Sequence, residues 1–212
     1  GGRGSHHFRQ FMKFDDVNIV SLCDPYIPNY EKNAVKLERK VQTTQDFRHV
    51  LENKEVDAVI IASPDHWHAH HAIYACQAGK DVYVEKPMSR TVEEGQRLIE
   101  FVDKTGRIVQ VGQQQRSSEQ FQKAIAMIQA GEIGNVTSAR CINIWPIDGY
   151  LSPKGKQGIG THPDSEPPEG LDYNMWLGPA PHRPFNKNHF LLNFYFYLDY
   201  SGGMLTAWGV HL

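Results

Sequence analysis

Two spacings of hydrophobic residues alternate along residues 1–112. Short apolar runs indicate strands, and apolar residues that recur at helical spacing indicate amphipathic helices. Four strands are predicted on this basis: Asn18–Cys23, Asp57–Ser63, Asp81–Glu85 and Arg107–Gly112. The second is apolar on both faces, as a parallel strand covered by helices on two sides must be. The pattern therefore predicts an α/β fold with a doubly wound parallel sheet.

Sequence signals at the helix ends support this alternation. Ser63-Pro-Asp65 supplies N-cap chemistry for a helix over 66–78, which Gly79 ends. Thr91-Val-Glu-Glu94 is a capping box, in which a hydroxyl and a carboxylate each satisfy an exposed N–H group, and Gly106 closes the helix that follows. The other helices are predicted at Ser5–Phe14, in two stretches between Val35 and Leu51, and from Ser117 to Gly131.

The periodic pattern weakens after Gly112. Val136–Trp145 predicts a longer strand, and eight of the twelve prolines then fall between Pro146 and Pro184. A stretch of that length without periodicity is either a functional loop or an arm that wraps a neighbour.

The end of the chain is crowded with aromatic residues, which run from Phe190 to Tyr200 before Gly202-Gly203 leads into an apolar segment. The chain opens at Gly1 without Met and stops inside this stretch, whereas natural termini are usually polar and loosely held. We expect a fragment that is cut at both ends. Its predicted domains are residues 1–115 and the beginning of a sheet-based second domain over 116–212.

Composition narrows the class of protein. The 22 Lys and Arg residues nearly balance 24 Asp and Glu residues, for a net charge of −2. A surface for nucleic acid or anionic membrane requires clustered Lys and Arg, so neither partner is expected. The best apolar run, Val59–Ala62, is far shorter than the roughly 18 residues of a membrane helix. With 40% hydrophobic residues, the chain is expected to be globular.

The three cysteines, Cys23, Cys76 and Cys141, are too far apart to form a metal-ligand motif. Cys23 and Cys76 fall inside apolar patterns and are predicted to be small buried thiols. A sparse, odd set of cysteines favours a reducing compartment and hence a cytoplasmic location. Export is the alternative if a signal lies upstream of Gly1.

A glycine cluster, Gly1-Gly2-Arg3-Gly4, stands before the first predicted helix. A G-x-G-x-x-G turn lets backbone amides approach the pyrophosphate of a dinucleotide at a helix N-terminus. On this hypothesis Gly1 and Gly4 are the second and third glycines of the motif. A turn or a cloning scar explains the glycines alone nearly as well.

Asp24 strengthens the nucleotide hypothesis. It lies 20 residues after Gly4 at the end of a predicted strand, where an acid is expected to accept hydrogen bonds from the adenosine ribose. Its charge would also repel a 2′-phosphate, which favours NAD over NADP as the cofactor. The alternative is that Asp24-Pro25 is ordinary turn chemistry.

Two segments follow predicted strands at the same edge of the sheet, where open α/β sheets bind ligands. Asp65-His-Trp-His-Ala-His-His71 places four histidines in six residues, and His66 and His70 share a helix face. No carboxylate or Cys completes a recognisable ligand set, so we predict no metal and expect capping or solvent-facing histidines. In Glu85-Lys86-Pro87, the lysine is a candidate to orient a substrate hydroxyl or act as a base, unless it is an ordinary surface lysine.

These segments together resemble the Gfo/Idh/MocA oxidoreductases, the glucose–fructose oxidoreductase and inositol dehydrogenase family. The segments that carry the resemblance span essentially the whole chain: Gly1–Gly4, Ser63–His68, Ala78–Val82, Glu85–Pro87, Ala130–Gly134 at the family's interdomain hinge, and Gly202–His211. The resemblance implies a Rossmann-type doubly wound parallel sheet whose first strand is missing here. It also implies the start of an α/β domain with a mostly antiparallel sheet, which carries substrate groups and mediates oligomers.

The resemblance further implies site residues. Lys86 and His211 match the catalytic positions, His211 being the histidine of a block usually written D-x-G-x-H. The expected cofactor-binding residues are Gly1, Gly2, Arg3, Gly4, Asp24, Ser63, Pro64, His68, Glu85, Lys86 and Gln113. Arg116 lies in a stretch that often lines the family's substrate site. Trp176 is a further substrate candidate, because aromatic rings stack on apolar sugar faces, although such residues more often belong to a core.

The implied activity is hydride transfer between NAD, or NADP, and a sugar, polyol or related carbohydrate, in a protein that is a homo-oligomer at full length. One departure complicates this expectation, because Ala207 replaces the Asp of D-x-G-x-H. That carboxylate would polarise the substrate hydroxyl or hold His211. Two alternatives stay open: NAD-dependent glycoside cleavage, in which the cofactor is recycled, as in related members of the superfamily, and a non-catalytic relative that binds cofactor or sugar, which Ala207 would permit.

Overall fold

A computed structural model describes residues 1–142 and 162–211. The described strands are β1 Ser21–Cys23, β2 Gln42–Thr44, β3 Ala58–Ile61, β4 Asp81–Glu85 and β5 Val109–Gly112. The α-helices of these residues are α1 Gly2–Phe11, α2 Ile27–Ala34, α3 Phe47–Glu52, α4 Asp65–Gln77, α5 Val92–Thr105, α6 Glu119–Gln129, α7 Tyr173–Leu177 and α8 Gly203–Trp208. Short 3₁₀ turns cover Gln114–Ser117, Lys187–His189, Leu191–Phe196 and Gly209–His211.

All the described strands pair in parallel. β4 lies between β3 and β5, with Val82 opposite both Val59 and Val109. β1 pairs only with β2, in a separate two-stranded sheet. The predicted α/β fold with parallel strands joined by helices is thereby confirmed. Strand β2 was not expected, because its sequence, Gln42-Thr-Thr44, is polar and gives no apolar run.

A groove of about 280 Å³ separates the two sheets. It is lined by β1 on one side and by Ala58, Val59 and Ile60 of β3 on the other. Ile60 is 40% exposed there, although the sequence pattern predicts that helices cover both faces of this strand. In the described part of the chain no strand lies between β1 and β3.

The main core lies between β3–β5 and the helices α4 and α5. Val84 of β4 is fully buried, and Leu98 of α5 and Cys76 of α4 are each 1% exposed against it. Burial of a side chain the size of Leu98 stabilises the fold by roughly 2 kcal/mol. The prediction of a buried thiol is confirmed for Cys76 and wrong for Cys23, which is exposed because β1 ends at an open cleft.

The capping box that opens α5 is confirmed. The Thr91 hydroxyl accepts a hydrogen bond from the Glu94 N–H at 3.2 Å, and the Glu94 carboxylate accepts one from the Thr91 N–H at 3.2 Å. Gly106 ends the helix at a φ of 64°, in the left-handed region that favours glycine. Local sequence therefore defines both ends of the helix that covers one face of the sheet.

The described residues after Gly112 form helices and turns, with two isolated antiparallel bridges, between Asp164 and Asn186 and between Leu171 and Tyr26. The strand predicted over Val136–Trp145 is absent from residues 136–142, and its remainder, with Trp145, lies outside the described residues. A second apolar cluster gathers Trp176, Leu177, Phe194 and Tyr200. It packs against the first turn of α4, where the His66 ring contacts Trp176 and Tyr200. Among the described residues, no helix is long and apolar enough to cross a membrane.

Candidate functional site

A cleft of about 340 Å³ opens where β1 and β3 end and α1 begins. Gly1, Gly2 and Gly4 line it, and a Cβ added at Gly1 or Gly2 would meet no atom within 4 Å. No side chain caps the first turn of α1, so its N–H groups are available to an anion. This combination of open space at the glycines and an uncapped helix start fits the pyrophosphate of a dinucleotide.

Asp24 lies at the same end of the cleft as the glycine turn. One of its oxygens accepts hydrogen bonds from the Tyr26 N–H and the Asn29 amide, at 3.0 and 3.1 Å. The other oxygen lies 2.7 Å from the backbone nitrogen of Gly1. The structure thus brings Asp24 and the glycine turn together, although they are separated by a helix and a strand in sequence. This is the juxtaposition that binding of an adenosine ribose next to a pyrophosphate requires.

Glu85 at the end of β4 joins the sheet to α1. The same Glu85 oxygen lies 2.6 Å from both Arg3 Nε and His7 Nε2, and the carboxyl group is almost fully buried. Burial alone would raise the pKa of Glu85, but hydrogen bonds from His7 and Arg3 outweigh it and lower that pKa to about 2. Glu85 therefore remains a carboxylate that holds the glycine turn against β4.

Lys86 follows directly, in a cis peptide linkage to Pro87. Its Nζ donates to the backbone carbonyl of Ala207 at 2.5 Å and lies 5.7 Å from the centre of the Tyr195 ring. Burial lowers the pKa of Lys86, while the Asp65 and Glu85 carboxylates oppose that shift. The amine is thus held at a defined position in an environment that eases loss of its proton.

His211 reaches the same region from the end of the described chain. Its Nδ1 lies 3.1 Å from the amide oxygen of Gln114, the residue after the predicted Gln113. Burial, and then the positive charge of Lys86, lower the pKa of His211. A neutral imidazole beside a lysine is suited to accept a proton. Gln114 was missed by sequence reasoning; the signal available was the Gln113–Gln115 run that follows β5.

The histidines of Asp65–His71 were expected to cap the helix or face solvent, but His66 and His68 are buried. His68 is buried, with Nδ1 2.6 Å from the Pro87 carbonyl and Nε2 2.8 Å from the Ser63 carbonyl. Its ring therefore spans two loops, while Ser63 and Pro64 line the cleft themselves. Within residues 1–142 and 162–211, no three His, Cys, Asp or Glu side chains are grouped as a metal site would require.

The remaining predicted site residues are spread around the cleft. Trp176 lines it but is only 5% exposed, since its ring packs on Tyr200 and Phe190. Arg116 is exposed in the 3₁₀ turn after β5, and Gln113 contributes its backbone to that turn. Arg116 and Gln113 do not line the cleft, and neither do His68, Glu85, Lys86 and His211.

Comparison with known proteins agrees with this arrangement. Residues 1–113 match the Gfo/Idh/MocA oxidoreductase family, NAD-binding Rossmann fold, and residues 136–212 match the family's C-terminal alpha/beta domain. The chain therefore belongs to the Gfo/Idh/MocA oxidoreductase family. Its residues 1–113 are the NAD-binding Rossmann domain of that family, as the glycine turn and Asp24 predict.

Two curated relatives illustrate the range of the family. Inositol 2-dehydrogenase of Salmonella typhimurium (strain LT2) is 30% identical over 155 residues, which cover 71% of this chain and 46% of the relative. Alpha-N-acetylgalactosaminidase of Shewanella oneidensis is 34% identical over 113 residues, 50% of this chain and 25% of the relative. The chain thus spans less than half the length of these curated relatives.

Solved structures share the fold. Myo-inositol 2-dehydrogenase of Lactobacillus plantarum superimposes with a TM-score of 0.59 at 25% identity, over 64% of this chain and 40% of that one. The similarity supports the order of strands and helices described above.

Proposed function

We propose that this chain belongs to an NAD-dependent oxidoreductase that transfers hydride between the cofactor and a sugar, polyol or related carbohydrate. The observation that carries the proposal is the convergence of Lys86 and His211 at the edge of the sheet where the glycine turn lies. Lys86 directly follows Glu85, whose carboxylate contacts Arg3 of the glycine turn, and this adjacency supports the action of both groups of residues on one substrate.

The cofactor would be held by the turn Gly1–Gly4 at its pyrophosphate and by Asp24 at the adenosine ribose. The negative charge of Asp24 opposes a 2′-phosphate, which favours NAD over NADP. When bound, the nicotinamide supplies the hydride acceptor. Ser63 and Pro64 contribute the wall of the cleft between these two ends.

The proton of the substrate hydroxyl would pass to His211 or Lys86. Burial lowers the pKa of both side chains and so favours their neutral forms, and only the neutral form can accept a proton. Lys86 is oriented by the Ala207 carbonyl, and His211 by Gln114. Tyr195 supplies aromatic surface at the cleft, which suits the apolar face of a carbohydrate ring, whereas the Trp176 ring is buried against Tyr200 and Phe190.

The direct test measures NAD reduction by a panel of polyols and sugars, including inositols, with the full-length protein and Lys86→Ala. We expect turnover to fall by about 10²-fold or more in the variant, the usual cost of losing a general acid–base group. Lys104→Ala, at an exposed position of α5, is the matched control and should retain full turnover. Unchanged turnover in Lys86→Ala would remove Lys86 from the mechanism.

The same assay separates the two alternatives. Cleavage of a glycoside while NAD returns to its oxidised form in each turnover would favour the glycosidase chemistry named for the Shewanella oneidensis relative. Calorimetric NAD binding with no turnover of any substrate would favour a non-catalytic relative, for which the loss of a carboxylate at Ala207 is the supporting observation.

Two further proposals concern the longer protein. It would form a homo-oligomer, for which the supporting argument is family resemblance, and light scattering of the full-length protein tests it. It would reside in the cytoplasm, which the three free thiols Cys23, Cys76 and Cys141 support. Fractionation of cells that produce the full-length protein distinguishes this from export.

A further inference from the structure

The first turn of α4, Asp65-His66-Trp67, carries contacts that the proposed chemistry does not use; we name it the docking turn. All three side chains are buried, yet each faces a segment more than 100 residues away in sequence. Burial of a carboxyl group, an imidazole and an indole N–H is costly unless each finds a partner. The partners show what the turn does.

Trp67 and His66 converge on one backbone carbonyl of α7. Trp67 Nε1 donates to the Trp176 carbonyl at 3.0 Å and to that of Met175 at 3.1 Å. His66 Nε2 lies 3.0 Å from the same Trp176 carbonyl, and the His66 N–H donates to the Tyr200 carbonyl at 3.1 Å. These bonds attach α7 and the aromatic segment to the start of α4.

Gly178 at the end of α7 shows how closely the two surfaces fit. Its φ is +48°, and a Cβ there would lie 2.0 Å from the Trp67 indole ring. Any larger residue would push α7 away from the docking turn. Close approach and hydrogen bonds thus depend on one another at this contact.

Asp65 extends the connection to α8. It is 1% exposed and accepts a hydrogen bond from the Ser201 hydroxyl at 2.7 Å. The Ser201 hydroxyl in turn accepts from the Gly203 N–H at 3.2 Å, the first residue of α8. The carbonyl that receives the Lys86 amine, Ala207, lies on this same helix. A chain of contacts therefore runs from Asp65 through Ser201 and α8 to Lys86.

We propose that Asp65 and Ser201 are positioning residues, which set α8 so that the Ala207 carbonyl holds the Lys86 amine in place. The docking turn, on this view, connects the nucleotide-binding region to the segment that orients Lys86. The inference rests on the proposed function only in taking Lys86 as the catalytic lysine. Its physical content, the position and accessibility of one amine, is measured without cofactor or substrate.

The test is trace acylation of the lysines across a pH range, with the site of labelling read by mass spectrometry. Ser201→Ala removes the link between Asp65 and α8. We expect the Lys86 labelling rate to rise about fivefold, as the loss of one hydrogen bond allows, while exposed Lys104 keeps its rate. Amide exchange over 203–208 should accelerate by a similar factor. Ser165→Ala, whose hydroxyl donates to the neighbouring Glu166 carbonyl, is the matched control.

Asp65→Asn separates geometry from charge. The amide oxygen of Asn still accepts from Ser201, so exchange over 203–208 should match the wild type. Lys86 then faces Glu85, Arg3 and His211 without the Asp65 carboxylate, so the pH midpoint of its labelling should fall. Unchanged Lys86 labelling and unchanged exchange in folded Ser201→Ala would overturn the proposal.

A second variant keeps the test available if Ser201→Ala does not fold. Trp67→Phe retains the aromatic packing but loses both indole hydrogen bonds, and it should raise Lys86 labelling and exchange over 203–208 in the same direction. Wild-type values in Trp67→Phe would count against the docking turn. Absence of NAD binding alone, with the expected labelling pattern, would sink the proposed function and leave the positioning role standing.

Discussion

Gly178 lies against the indole ring of Trp67 so closely that a Cβ at this position would be 2.0 Å from a ring carbon. The contact joins α7, near the end of the chain, to the first turn of α4. No side chain other than hydrogen fits without displacement of one element, so the pair reports directly on how tightly the two regions pack.

Gly178→Ala is expected to lower the free energy of unfolding by about 3 kcal/mol, because it adds overpacking to the cost of a positive φ. Urea unfolding followed by tryptophan fluorescence measures it. Gly79→Ala is the matched control: Gly79 has a φ of +75° but no atom within 4 Å of the added Cβ. That variant should lose only about 1 kcal/mol. Equal losses in the two variants would show that the Trp67 contact is not tight.

Glu85→Gln is expected to change the pH dependence of stability. The pKa of Glu85 is lowered from 4.5 to about 2 in the folded protein. A lowered carboxyl pKa contributes stability that is fully present above pH 4.5 and is lost as the pH falls towards 2. The contribution is on the order of 3 kcal/mol. Unfolding free energies measured between these limits should therefore fall more steeply for the wild type than for Glu85→Gln.

Glu93→Gln controls for the general effect of one carboxylate less. Glu93 is exposed in the first turn of α5 and should leave the pH profile nearly unchanged. If the Glu85→Gln and Glu93→Gln profiles coincide, the hydrogen bonds of Glu85 with Arg3 and His7 do not stabilise the glycine turn.

Asp24→Asn tests the choice of cofactor. Removal of the negative charge at the ribose end of the cleft should shift the ratio of NAD to NADP dissociation constants by about tenfold towards NADP. Calorimetric titration of both dinucleotides into wild type and variant measures the ratio. Asp103→Asn, exposed on α5, should leave the ratio unchanged. An unaltered ratio in Asp24→Asn would mean that Asp24 does not contact the ribose.

Ala207→Asp introduces the carboxylate that the family's D-x-G-x-H block usually carries at this position. Ala207 is 1% exposed and its carbonyl accepts from Lys86, so a carboxylate here would be buried near that amine. We expect polyol turnover to rise by at least about tenfold, since a positioned carboxylate commonly contributes more than this. Ala207→Asn is the control without charge. Equal turnover in the wild type and Ala207→Asp would show that another defect limits the reaction.

Much of the fold could be predicted because its signals are local. The capping box at Thr91, the ending glycine Gly106 and the apolar strand β4 each depend on neighbours in sequence, and the structure confirms them. The polar strand β2 gave no such signal, because its pairing with β1 is what makes it a strand. The prediction that Cys23 is buried was wrong for a related reason, because apolar neighbours in sequence do not reveal that a residue borders an open cleft.

The candidate site was less predictable, because its members are brought together by contacts between distant elements. The motif around Lys86 indicated the residue but not its acceptor, the backbone of Ala207. Position alone could not decide between Gln113 and Gln114, since one residue of register determines which side chain meets His211. The buried role of the docking turn was also hidden, because its partners lie more than 100 residues away.

Glu85 and Lys86 are consecutive residues, but their side chains contact different elements, α1 and α8. Glu85 holds the glycine turn through Arg3 and His7, and Lys86 holds α8 through Ala207. One peptide unit at the end of β4 is therefore shared by both sets of contacts. A change of backbone conformation at this unit would disturb the glycine turn and the Lys86 amine together, so the two cannot be repositioned independently of each other.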